Sequence, residues 1–264
     1  MSRTSSMFAT AVAAVAFAAT PCEAAGLTRE GVSAMLAAVP AGHTIDLAGQ
    51  SLAGLDLNRL DFSGGDLHGA DLSNANLFAA KFQDANLTGA NLSGAEMGIA
   101  NVIRADLTDA NLSGAKMFGL VTSSGMQTSR KEAPILVRAN LSGATVVSRL
   151  GYANLAGANL SSAHMAADMH NQSMGLMRAE FPSADLTGAN LAGAELGHAL
   201  LRFTNLTDAN LAGADLAGAD LIGANLADAD LTGANLTGAD LRDARIGSAK
   251  GLASAIGLDR TGAQ

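Results

Sequence analysis

Leu, or a residue of similar bulk, recurs at every fifth position through most of this chain, with small and polar residues between. Residues 205–246 keep the rhythm without interruption, beginning Asn-Leu-Thr-Asp-Ala, Asn-Leu-Ala-Gly-Ala and Asp-Leu-Ala-Gly-Ala. A five-residue period suits neither common element. On an α-helix successive Leu side chains would be rotated by about 140°, and on a straight strand they would alternate between faces. One environment for every Leu requires the chain to turn once per repeat. The spacing therefore predicts a coiled solenoid, not a globule with one central core.

The bulky positions run from Leu47 in steps of five to Met117, with Phe62, Phe82, Met97 and Val102 standing in for Leu. From Ala70 onward the residue two before each is usually Ala, so every repeat offers one large and one small side chain for an interior. The other positions carry Asp or Asn, then Ser, Thr or Ala, then Gly, Asn or Asp, which are turn formers. The spacing fails over residues 118–133, where FGLVTSSGMQTSRKEA reads as a protruding loop. It resumes with one-residue slips through residues 134–173 and is regular again over residues 174–248, from Leu176 to Ile246. Ahead of the repeats, in residues 25–44, Thr28 is placed to cap a short helix with Val32, Met35, Leu36 and Val39 at helical spacing, ended by Pro40, Ala41 and Gly42. That helix is expected to cover the first coil. Residues 249–264 hold Leu252, Ile256 and Leu258 and read as a C-terminal cap or a surface for homodimer pairing.

Composition narrows the reading. The chain of 264 residues is 48% hydrophobic but only 3% aromatic, with no Trp. Ala and Leu supply most of its apolar content, which suits a narrow interior built coil by coil. A formal net charge of −8 argues against direct nucleic-acid binding, which needs clustered Lys and Arg.

The first 24 residues have the layout of a signal peptide: Arg3, an apolar run over residues 7–19 (MFATAVAAVAFAA), then Pro21 and the small-residue segment Cys22-Glu23-Ala24-Ala25. Cleavage after Ala24 would remove the only cysteine and leave no transmembrane segment. The expected location is periplasmic or secreted.

Ala70-Asp71-Leu72, Ala90-Asn91-Leu92-Ser93-Gly94, Ala110-Asn111-Leu112-Ser113-Gly114 and Ala214-Asp215-Leu216-Ala217-Gly218 carry a consensus. By these motifs the chain resembles the pentapeptide-repeat family over most of residues 45–248. The resemblance implies an all-β fold, a right-handed quadrilateral β-helix with four repeats per coil, the central Leu or Phe and the preceding Ala inside. Such a geometry puts Asp46, Asp66, Asn86 and Asp106 on one face, and Glu180, Leu200, Asp220 and Asp240 on another. Some family members are acidic, cytoplasmic mimics of DNA that protect gyrase. This chain shares the acidity but departs in its leader and in mixing Asn freely with Asp.

Three features could carry function. His164, Met165, Met169, His170, Met174 and Met177 place six soft or borderline metal ligands within fourteen residues. Thioether and imidazole suit Cu(I), and His164, Met169, His170, Met174 and Met177 are the candidate copper ligands; Met165 sits in a bulky repeat slot, and Met also fills irregular gaps. Second, apolar residues stand at outward positions: Phe78 and Phe118 on one corner two coils apart, and Leu200, Phe203 and Ile222 in neighbouring repeats. Exposed apolar groups mark candidate protein contacts. Third, Ser113 and Lys116 match a Ser-x-x-Lys pattern, but the companion Ser-Asp-Asn and Lys-Thr-Gly elements are missing. His43, His68 and His198 show no partner spacing, and no phosphate loop, nucleophile elbow or carboxylate pair stands out. The sequence therefore predicts a non-catalytic protein that needs no cofactor, acting as a rigid interaction or envelope scaffold for a protein partner.

Overall fold

The computed structural model describes residues 27–125, 128–167 and 177–258. The repeat at residues 86–90 shows why five residues make a unit. Leu87, Thr88, Gly89 and Ala90 form a β-turn closed by the Ala90 N–H on the Leu87 carbonyl at 3.0 Å. Gly89 holds φ at +64°, as the third position of a type II turn requires. Asn86 remains as the single extended residue between turns. Its side-chain Oδ1 accepts the Thr88 N–H at 3.1 Å. The Leu87 and Gly89 N–H groups donate to Asp106 and Thr108 of the next coil, at 2.7 and 2.9 Å, and the Asn86 N–H donates back to Gly65 at 2.9 Å. All five donors of the repeat are satisfied with no helix or long strand.

The extended residues stack into four parallel ladders, each with one residue per coil. The first runs from Asp46 through Asp66, Asn86 and Asp106 to Arg245, the second from Ser51 to Lys250, and the third from Asp56 to Ile256. The fourth runs from Asp61 to Val121 and again from Arg149 through Glu180, Leu200 and Asp220 to Asp240. Partners in the regular stretches are twenty residues apart, so four repeats complete a coil. Ten stations on the first ladder correspond to a stack about 45 Å long at the usual strand spacing. The interior is one continuous cluster of Leu and Ala, including Leu47, Leu87, Leu155 and Leu226 with Ala90 and Ala158. Phe62 and Phe82 stack within it, centroids 5.3 Å apart and 9° from parallel.

The irregular middle resolves into three length changes. Asp106 pairs with Ile135, 29 residues on, so nine residues are inserted in that coil. The repeat nevertheless reaches further than the spacing indicated. Lys116–Phe118 forms strand β1, paired in parallel with β2, Thr145–Val147. Thr122 is buried in the next bulky slot, its hydroxyl donating to the Arg149 carbonyl at 2.7 Å. A polar residue in that slot hid the repeat from a reading based on apolar spacing, so residues 118–122 belong to the coil and not to the expected loop at 118–133. At the base of that loop the Glu132 carboxylate accepts from the Ser123 and Ser124 hydroxyls and its carbonyl accepts the Arg104 N–H.

In the following coil Ile135 pairs with Asn154 only 19 residues on. The missing residue falls between Val146 and Leu150, where the buried Ser148 hydroxyl donates to the Met117 carbonyl at 2.8 Å and accepts the Leu120 N–H at 3.1 Å. The hydroxyl thus bridges the Leu120 N–H and the Met117 carbonyl of the neighbouring coil, groups that bond each other directly in a regular turn. Arg149 then pairs with Glu180 31 residues on, an insertion of eleven. The Ala179 N–H donates to the Met165 carbonyl at 3.3 Å, so the coil resumes at Ala179 and Phe181; the restart expected at Leu176 lies outside the described residues.

At one end, helix α1 spans Arg29–Ala38, with the Thr28 hydroxyl oxygen accepting the Gly31 N–H at 3.2 Å. Val32 is fully buried in the shared core, with Leu36 and Val39 packed against it. Met35, expected on the same stripe, lies at its margin and is exposed. At the other end Lys250 and Ile256 extend the second and third ladders. Leu252 and Leu258 fold against the core, whereas Ile256 occupies an outward ladder position and is exposed.

Candidate functional site

The residue that follows each bulky plug points outward beside a turn. On the third-ladder side this position is held by Asn58, Phe78, Gly98 and Phe118 in four successive coils, and the twenty-residue coil brings them into one column. A groove of about 890 Å³ lies there, lined by Asn58, Arg59, Asn76, Phe78, Glu96, Gly98, Ile99 and Phe118. Phe78, Ile99 and Phe118 are 43%, 47% and 39% exposed, each a large apolar side chain facing water. Gly98 is what makes the column concave: a Cβ there would stand 2.9 Å from Phe78 Cδ2, so the ring leans directly on its backbone. The sequence pointed to Phe78 and Phe118 but missed Ile99 and Gly98. A β-branched residue at a turn tip otherwise occupied by Gly or by unbranched residues such as Arg59, Ala79 and Asp84 was the signal available.

Leu200, Phe203 and Ile222 share the fourth-ladder side three coils further on. Phe203 is 63% exposed, and its ring covers Gly223, where a Cβ would come within 2.5 Å of it. Leu200 and Ile222, expected to face outward, are half-buried. Arg202 beside this patch is paired to Asp220. The two apolar sites are therefore separate, and the Phe78–Phe118 column forms a groove.

Charges around the groove are largely paired. The Lys116 Nζ donates to Glu96 at 2.6 Å, and Asp56 takes hydrogen bonds from Asn58 at 2.6 Å and Asn76 at 2.8 Å and an ion pair from Arg29 at 3.7 Å. Elsewhere Arg104 and Arg138 bridge coils to Asp84 and Asp109. Their hydrogen bonds hold both carboxyls below the ordinary aspartate range.

The outward Asn and Asp residues do more than form turns. Along the second ladder Asn91 donates to Asp71, Asn111 to Asn91, Asn140 to Asn111, Asn159 to Asn140, Asn190 to Asn159 and Asn210 to Asn190, at 2.9 to 3.1 Å. The run of Asn through the middle of this ladder supplies a donor at each step, which a column of carboxylates would lack while repelling itself.

The soft-ligand cluster is only partly visible. Met169, His170 and Met174 lie outside the described residues. Met165 is fully buried as a plug, the His164 Nδ1 lies 2.9 Å from a Glu195 carboxylate oxygen, and Met177 is exposed. Among the described residues no three His, Cys, Asp or Glu side chains are grouped to hold a metal ion, and no helix is long and apolar enough to cross a membrane.

A β-solenoid made of five-residue turns, with aromatic side chains set into a polar lattice, defines the class of protein. The chain belongs to the pentapeptide-repeat family, described as "Pentapeptide repeats", which matches in eight copies over residues 45–77, 80–119, 184–221 and 209–246. Among solved structures it is similar to HetL, a pentapeptide repeat protein involved in heterocyst differentiation regulation from the cyanobacterium Nostoc sp. strain PCC 7120. Identity is 30%, covering 88% of this chain and 98% of HetL, with a TM-score of 0.39. Full-length QnrB1, a plasmid-mediated fluoroquinolone resistance protein, is 19% identical, covering 82% of this chain and 91% of its own at a TM-score of 0.33. A pentapeptide repeat protein of the Arabidopsis thaliana thylakoid lumen is 34% identical, covering 43% of this chain and 67% of its own at a TM-score of 0.19. No curated protein matches the chain.

Proposed function

We propose that this chain is an exported, non-catalytic, right-handed quadrilateral β-helix, capped by α1, that presents a rigid surface to a protein partner through the Phe78–Phe118 groove. The observation that carries the reading is the concave cluster of Phe78, Ile99 and Phe118, half-exposed on a lattice whose other outward positions are mostly polar or small. Leaving such groups in water is unfavourable, and covering each is worth about 1.5–3 kcal/mol at full burial. The rigid backbone supports the role, since a preformed surface loses little freedom on binding. Cross-linking in the native compartment should trap a partner on the wild-type chain. Phe78→Ser with Phe118→Ser should weaken that capture by at least about tenfold, equivalent to 1.4 kcal/mol; recovery of an uncross-linked monomer from both chains would sink the reading. Export rests on Arg3, the apolar run of residues 7–19 and Ala24, all outside the described residues. The protein recovered from its source should begin at Ala25, and an N-terminus at Met1 would refute it.

Gyrase protection by DNA mimicry is the weaker alternative. QnrB1 shares the fold, but the acidic groups here are interrupted by Lys81, Arg104, Lys116, Arg138 and Arg202, each bound to an Asp or Glu of a neighbouring coil. Paired charges give no unbroken anionic track of the kind a phosphate backbone presents. Copper binding is weaker still, because the His164 ring is engaged by Glu195.

A further inference from the structure

The groove is electrically one-sided. Glu96 on its wall and Asp56 beside it are both taken up by partners. Arg59, exposed at one end, makes no side-chain hydrogen bond or ion pair among the described residues. Just beyond it, the Arg29 guanidinium of α1 is bonded to the carbonyls of Asp56 and Asn58, so α1 abuts the groove at the Arg59 end. The opposite end, past Phe118, carries only Val147 in the same column, paired through β2.

Ile99 supplies a second observation. It holds φ at +48°, a left-handed conformation in which a β-branched residue is an outlier and which Gly adopts freely. Its side chain is 47% exposed and adds nothing to the interior. Other non-Gly residues hold this turn position at positive φ, but Ile99 is the β-branched one among them, and an exposed outlier of that kind points to a role outside the molecule.

Building on the docking role proposed above, we propose that the groove takes the C-terminal segment of a partner protein, its terminal carboxylate against Arg59 and its preceding apolar side chains on Phe78, Ile99 and Phe118. The column from Arg59 to Phe118 covers three coil steps, about 14 Å, the length of four or five extended residues. A chain that ends at Arg59 avoids α1, and its carboxylate meets the one guanidinium left uncompensated on the groove wall. Gly98 lets the Phe78 ring lie down against the coil, which leaves the segment an apolar floor between Phe78 and Phe118.

The probe is a library of random hexapeptides with free C-termini, presented to the full chain beside the same library amidated. The wild-type chain should enrich free-ended peptides with two or more apolar residues, binding them about tenfold more tightly than their amidated forms, or 1.4 kcal/mol. Arg59→Glu should abolish that preference. Ile99→Gly should unfold at a higher temperature yet enrich less, a combination that a purely structural role would not give. Equal selection from the two libraries, or an unchanged preference in Arg59→Glu, overturns the carboxylate assignment while leaving the docking reading in place. Selection no better than that of the Phe78→Ser/Phe118→Ser chain overturns both.

Discussion

Asn111 shows how much one outward residue does in this lattice. Its Oδ1 accepts the Ser113 N–H at 3.2 Å and the Asn140 Nδ2 at 3.1 Å, while its own Nδ2 donates to Asn91 at 3.1 Å. A turn contact and two inter-coil contacts meet on a single amide. Asn111→Asp keeps the acceptor but removes the donor and places a charge against the Asn91 oxygen. It should cost about 1–2 kcal/mol, seen as a lowered denaturation midpoint with an unchanged slope. The sequence identified these residues as turn formers correctly. It did not disclose the ladder, because a partner twenty residues away in one coil and 29 away in the next leaves no local trace.

At the scale of elements, the repeat is encoded five residues at a time, and its exceptions are repaired by side chains. Thr122 and Thr204 fill interior slots while bonding to the carbonyls of Arg149 and Phe181. Both look wrong in an apolar pattern and are right in the structure, since a hydroxyl with a partner is tolerated inside. Ser148, in the shortened turn, bridges the backbone of the Met117–Leu120 turn in the neighbouring coil. Ser148→Ala would leave the Leu120 N–H and the Met117 carbonyl without that buried partner. A loss of about 2 kcal/mol is expected, measured by chemical denaturation; a change under about 0.5 kcal/mol, typical of surface positions, would show that the turn does not depend on it. The groove is also an element-scale product. Phe78 and Phe118 were legible as outward aromatics, but Ile99 and Gly98 acquire meaning only once adjacent coils are stacked.

The whole molecule is a stack of coils held by neighbours, so its electrostatics act between coils. Hydrogen bonds from Arg104 and Arg138 lower the Asp84 and Asp109 carboxyls, and bonds from the Ser73 side chain and backbone lower Asp71. A carboxyl depressed in the folded state contributes stability above its unfolded value, near 4, and that contribution is lost as pH falls through the folded value. Melting temperature should therefore be level above about pH 5 and fall below about pH 4. Asp84→Asn with Asp109→Asn should reduce the fall between pH 6 and pH 3; an identical fall in both chains would assign acid sensitivity elsewhere. These groups are exposed, so the effect is a modest one.

The sequence by itself determined the turn, the interior plugs and the coiling, because each five-residue unit carries its own turn former, large side chain and small side chain. It also delimited the two regular blocks and the outward aromatics. The tertiary structure alone decided which outward residues stand together beyond the first block. An insertion of nine, a deletion of one and an insertion of eleven reset the count between coils, so neighbours on a face follow from accumulated path length and not from local pattern. The groove at Phe78, Gly98, Ile99 and Phe118 lies ahead of those changes, where twenty residues complete each coil: stacking successive coils sets side chains remote along the chain against one another, which no local pattern records.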